Sequence, residues 1–83
     1  MKKIINGKKY DTDTAKEIGT IDTKWSDALS KTLYQKTTGE FFFFMWNATQ
    51  EYISPCTEDE AKEFCEDAIT VEEYEAIWGE VLE

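Results

Sequence analysis

An α+β fold is the expectation this chain sets, and three stretches of sequence carry it. Asn6-Gly7 stands between two short β-prone runs, the segment GEFFFFMWN at 39–47 reads as a strand, and residues 57–81 hold two apolar repeats at helical spacing. Together they predict a small antiparallel sheet, made of an N-terminal hairpin and a central aromatic hairpin. The sheet is expected to pack against a short N-terminal helix and two C-terminal amphipathic helices. Eighty-three residues bury enough surface for one core and no more, so residues 1–83 are read as a single domain. An apolar share of 41% and an aromatic share of 14% suit a folded chain rather than a disordered one.

Asn-Gly is the pair that two-residue hairpin turns favour, because both central positions need positive φ. Ile4-Ile5 and Lys8-Lys9-Tyr10 are then the paired strands. In DTDTAKEIG, Thr14 and Glu17 have capping-box spacing, Ala15 and Ile18 offer a small apolar side and Gly19 is placed to stop a helix of about two turns. Residues 20–31 have no clear period; Trp25, Ala28 and Leu29 are their main apolar anchors. Thr32–Thr37 and Glu40–Trp46 flank Thr38-Gly39 and predict a second hairpin, with Tyr52-Ile53 as a short edge strand that Pro55 ends.

The C-terminal third predicts two helices. Thr57 and Glu60 form a capping box ahead of Ala61, Phe64, Cys65 and Ala68; Thr70 and Glu73 repeat the device ahead of Val71, Tyr74, Ile77, Trp78 and Val81, with Gly79 placed to end the last turn. An antiparallel helix pair is the simplest arrangement.

The aromatic run raises a problem of cover. Side chains alternate across a strand, so Phe41, Phe43 and Met45 point one way and Phe42, Phe44 and Trp46 the other. Both faces are apolar, and a strand of that kind needs two covers. The C-terminal helices supply one. For the other, the short first helix and the Trp25–Leu29 segment are the available elements, and a face left open would make Phe42, Phe44 and Trp46 an aromatic interface for a second copy or a partner.

Charge is segregated along the chain. The 18 acids and 9 lysines, with no Arg and no His, divide so that residues 1–40 have eight Lys against six acids while residues 41–83 have twelve acids against Lys62 alone. A field of that sign repels nucleic acid and anionic membrane and attracts basic protein surfaces. The outward helix positions Glu58, Asp59, Glu63, Glu66, Asp67, Glu72, Glu73, Glu75 and Glu80 are the candidate partner-binding residues. Local stability is the competing account of Glu58, Asp59, Glu72 and Glu73, which sit in first turns where helix dipoles favour negative charge.

Other chemistries find little support. Asp11-Thr12-Asp13 opens like a calcium loop, but Ala15, Lys16 and Asp22 occupy the positions where a ligand, a glycine and a glutamate are required. Cys56 and Cys65 lie nine residues apart, roughly 13 Å if helical, beyond the roughly 7 Å that a disulfide spans. They are expected to be free thiols, as in a reducing cytoplasm, and without His or a third Cys no metal site or cofactor is expected. No His shuttles protons and no base partners either thiol, so a non-enzymatic role is expected. Ile4-Ile5 is too short for a signal-peptide core and no apolar run approaches membrane-spanning length, which favours the cytoplasm.

Residues 5–19 (INGKKYDTDTAKEIG), 33–42 (LYQKTTGEFF), 54–67 (SPCTEDEAKEFCED) and 71–81 (VEEYEAIWGEV) resemble a family of small acidic proteins encoded by phages and mobile elements of Gram-positive bacteria. Some members are associated with anti-CRISPR loci. The chain departs from that pattern after the aromatic strand, where Met45–Tyr52 replaces a longer glycine-rich insertion. The resemblance implies an inhibitor of a bacterial defence system acting in the host cytoplasm, with a CRISPR effector as its partner. Such effectors hold nucleic acid in basic channels, and an acidic helical face would occupy such a channel as a mimic of phosphates. The alternatives are an interaction or homodimerising protein that uses the aromatic strand, and a phage host-takeover adaptor acting on RNA polymerase or a repressor.

Overall fold

The computed structural model describes residues 1–22 and 29–79. Its fold is α+β, with a two-stranded and a four-stranded antiparallel sheet and two helices. The N-terminal hairpin pairs β1 (Lys2–Ile5) with β2 (Lys8–Asp11), and Ile5 faces Lys8 across the two-residue Asn6-Gly7 turn. Both turn residues have positive φ, 52° and 76°, as such a tight loop requires. This hairpin forms its own sheet instead of joining the aromatic one.

The expected N-terminal helix is absent. Residues Lys16–Ile21 are a strand, β3, paired antiparallel with β4 (Ser30–Gln35). The approach to β3 shows why. Asp11 accepts the Asp13 N–H at 2.9 Å, and the Asp11 carbonyl accepts from the Ala15 N–H at 3.1 Å. One turn is closed in this way, and the chain then extends along an edge of β4 that would otherwise leave its backbone unpaired. Trp25 and Ala28 lie outside the described residues; Leu29 is half-buried.

β4 leads through the Lys36–Glu40 turn into β5 (Phe41–Trp46), with Leu33 opposite Phe43. β4 begins and ends two residues earlier than expected. After β5 the Asn47 carboxamide oxygen accepts from the Thr49 N–H, the Thr49 hydroxyl and the Gln50 N–H at 2.8–3.2 Å, closing a turn into β6 (Glu51–Cys56). The edge strand is six residues long and continues through Pro55, which faces Phe42. Proline is tolerated there because, among the described residues, β6 has no further neighbour to receive an N–H. The order in the larger sheet is β3-β4-β5-β6.

α1 (Glu58–Ala68) and α2 (Val71–Trp78) each begin with a complete capping box. Thr57 accepts from the Glu60 N–H at 3.1 Å while Glu60 accepts the Thr57 N–H at 3.0 Å, and Thr70 and Glu73 do the same at 3.2 and 3.0 Å. Each cap is worth about 1 kcal/mol. Gly79 caps α2; Val81 lies outside the described residues.

β5 is covered on both faces. Phe41 and Phe43 join Leu33, Ala61 and Cys65 beneath the helices, with Phe64 edge-on to Phe43 at 5.0 Å and Trp78 against Phe41 at 5.1 Å. On the other face Phe42 is fully buried with Tyr10 and Ile53, between the rings of Tyr10 (edge-on) and Tyr34 (stacked), each at 5.4 Å. The second cover is the N-terminal hairpin together with Ala15. Hydroxyls satisfy the sheet's buried polar positions: Thr20 meets Thr32 at 2.9 Å, and Ser30 donates to Asp22 at 2.7 Å.

Gly19 is where α1 seats on the sheet. A Cβ there would lie 2.6 Å from Ile69 Cγ2 and 3.5 Å from the Ala68 carbonyl oxygen. Gly19→Ala should therefore destabilise the fold by about 1–3 kcal/mol in urea denaturation. A Gly19→Ala/Ile69→Ala double variant should lose clearly less than the sum of the single losses.

Candidate binding surface

The acids of α1 and α2, half-buried Glu75 apart, divide into three groups. Glu60 and Glu73 hold the capping boxes, so Glu73 is engaged by the Thr70 N–H and hydroxyl rather than free for a partner. Glu58 reaches Lys62 at 4.0 Å and shares a cleft of about 420 Å³ with Lys16 and Lys62. The remainder, Asp59, Glu63, Glu66 and Asp67 on α1 and Glu72 on α2, are exposed and form no ion pair among the described residues. Asp59, Glu63 and Glu66 follow the i, i+4, i+7 spacing that places them along one side of α1, opposite buried Ala61 and Cys65. Asp67 and Glu72 flank the two-residue link between the helices. Glu75 is half-buried, and Glu80 lies outside the described residues.

Among the described residues, no lysine of the first half forms an ion pair with this stripe. Lys8 and Lys36 both bind Glu40, at 2.9 and 3.5 Å, and Lys36 also lies 4.4 Å from the centre of the Tyr10 ring. The hydrogen bond from Lys8 holds the Glu40 carboxyl below its ordinary value, and Glu40 in return raises Lys8. That cluster sits between the N-terminal hairpin and the β4–β5 turn.

The aromatic alternative narrows to two rings. Phe42 is core; Phe44 and Trp46 are half-buried and stack at 5.6 Å with 17° between planes.

A feature missed by sequence reasoning is a groove of about 250 Å³ where the helices meet, lined by Cys65, Glu66, Ile69, Thr70, Val71 and Tyr74. Val71, assigned to the apolar stripe of α2, is instead 67% exposed at its lip. Its place in the first turn, next to the Thr70 cap and two residues from Ile69, was the available signal: a residue there precedes the face that α2 buries.

Both cysteines are free thiols. Burial, with the negative charge of Glu60 beside it, pushes Cys56 up to about 12. Burial also raises Cys65, opposed by the Trp78 indole N–H. That N–H is itself buried without a full hydrogen bond, so its interaction with the sulfur is a weak one. Neither thiol is poised as a nucleophile near neutral pH. Among the described residues no three His, Cys, Asp or Glu side chains gather to hold a metal, and no helix is long and apolar enough to cross a membrane. No protein-family model, curated protein or solved structure matches the chain.

The raised Cys56 value has a pH consequence. Because the fold favours the protonated thiol, its contribution is complete below the ordinary thiol value of 9.0 and is lost as pH climbs toward 12. Urea midpoints should fall between pH 8 and about pH 10.5, and Cys56→Ala should shrink that fall relative to its own pH 8 midpoint. At pH 8, iodoacetamide should label Cys56 far more slowly in the native protein than in urea.

Proposed function

We propose that this protein is a non-enzymatic inhibitor of a bacterial defence system that docks its acidic helical face onto a basic, nucleic-acid-binding surface of a partner, a CRISPR effector. The observation that carries the reading is the set of exposed carboxylates Asp59, Glu63, Glu66, Asp67 and Glu72, which form no ion pair among the described residues. Carboxylates facing water keep their hydration until a cationic surface arrives, and their attraction is then gained on association rather than inside the fold. Successive carboxylates on a helix present acceptor oxygens to Lys and Arg as a phosphate row does. The resemblance to small acidic phage proteins supports the choice of a defence machine over other basic partners.

The test is DNA cleavage by a panel of purified CRISPR effectors with and without the protein. At least one effector should be inhibited, less so as salt rises. Glu63→Lys/Glu66→Lys/Glu72→Lys should weaken that inhibition by about 100-fold or more with the fold intact by circular dichroism. Full inhibition by the triple variant rejects the acidic face, and the absence of inhibition across the panel rejects the assigned partner.

The stacked Phe44–Trp46 pair favours a second reading, in which the chain homodimerises through that patch and the acids serve solubility. Sedimentation should then show a concentration-dependent dimer that Trp46→Ala abolishes.

A further inference from the structure

We infer that the groove at the α1–α2 elbow seats one apolar side chain of the partner protein, from a segment with Lys or Arg on both sides of that anchor. The inference rests on the acidic-face reading and adds to it the part of the partner that gives register. Three observations define the occupant.

The first is size. A volume of about 250 Å³ lies below the roughly 300–1,000 Å³ of small-molecule sites. It suits a single side chain such as Leu, Met or Phe better than a cofactor or metabolite.

The second is lining. Cys65, Ile69, Val71 and Tyr74 supply apolar walls, and the Thr70 hydroxyl is already occupied within the capping box, donating to Glu73 and accepting from its N–H. An apolar anchor therefore enters without stranding a polar group. Val71, 67% exposed at the lip, gains the most cover on binding.

The third is charge. Glu66 lines the groove, Asp67 and Glu72 flank it, and between residues 63 and 75 the chain has six acids and no lysine. An apolar segment with neutral or acidic neighbours would leave these carboxylates facing nothing or facing repulsion. One with cationic neighbours pairs them while its anchor fills the groove. Hydrophobic docking at the centre with charge pairs around it is the usual division between the core and rim of an interface.

Val71→Asp separates the two contributions by sign. The substitution adds negative charge, so it strengthens purely electrostatic binding, and it places a carboxylate at the groove's lip, so it weakens seating of an apolar anchor. An aspartate in the first turn of a helix is well tolerated, which keeps the fold intact. The probes are two fluorescein-labelled nonapeptides of identical charge, each with four lysines on either side of a central Leu or a central Ser. Binding to the full chain is followed by fluorescence polarisation at low and moderate salt.

The Leu peptide should bind about ten-fold more tightly than the Ser peptide. Val71→Asp should erase that difference, and backbone amide shifts caused by the Leu peptide should cluster at residues 65–74. Equal affinity for the two peptides, or tighter binding of both by Val71→Asp, overturns the groove and leaves the acidic face standing. No binding of either peptide at low salt overturns both. Amide shifts at Phe44–Trp46 instead, or a dimer of the chain alone that Val71→Asp dissolves, also overturn the inference, the latter by putting a second copy in the groove.

Discussion

A strand that is apolar on both faces governs this structure. Phe41, Phe42 and Phe43 are all buried although successive side chains of β5 leave the sheet in opposite directions. Each face therefore needs its own cover, and in so short a chain the cover comes from both ends of the sequence. The two helices close over Phe41 and Phe43. The N-terminal hairpin, with Tyr10 set edge-on against Phe42, closes the other side. The result is a three-layer arrangement in miniature, with a central strand that carries five rings.

Elements whose cause is local could be read from the sequence. Asn6-Gly7 makes its turn because two adjacent residues accept positive φ, and Thr57–Glu60 and Thr70–Glu73 make caps because three-residue spacing lets side chain and backbone exchange bonds. The same local logic failed at Thr14–Glu17. The spacing is that of a capping box, but Lys16–Ile21 gains more from pairing with β4, a partner about a dozen residues away that no local pattern announces. Pro55 misled for the opposite reason: it stops a strand only where its nitrogen must donate, and on the outer edge nothing asks it to. The turn at Asn47 went unread because it is built by one carboxamide rather than by glycine or proline.

The exposure of Asp59, Glu63, Glu66, Asp67 and Glu72 was legible because it follows from charge and helical period alone. What the sequence could not sort was occupation. Glu60 and Glu73 work for their own helices, Glu58 has Lys62, and Glu75 is half-buried, whereas Glu63 and Glu66 form no ion pair among the described residues. The elbow groove was beyond reach, since its depth depends on how two helices meet across a two-residue link. Lys8 and Lys36 are tied to Glu40 rather than to the helices, whereas Lys16 shares a cleft with Glu58.

The separate sheet of the N-terminal hairpin has a consequence for biosynthesis. Residues 2–11 are made before the strands they cover, but a lone pair of four-residue strands is barely stable in water. Its docking site is Phe42, whose sheet is complete only after β6 has emerged. The hairpin, though made before that sheet, thus settles after it, and until it does, one side of a phenylalanine-rich sheet stands open to other nascent chains, where premature contact leads to aggregation.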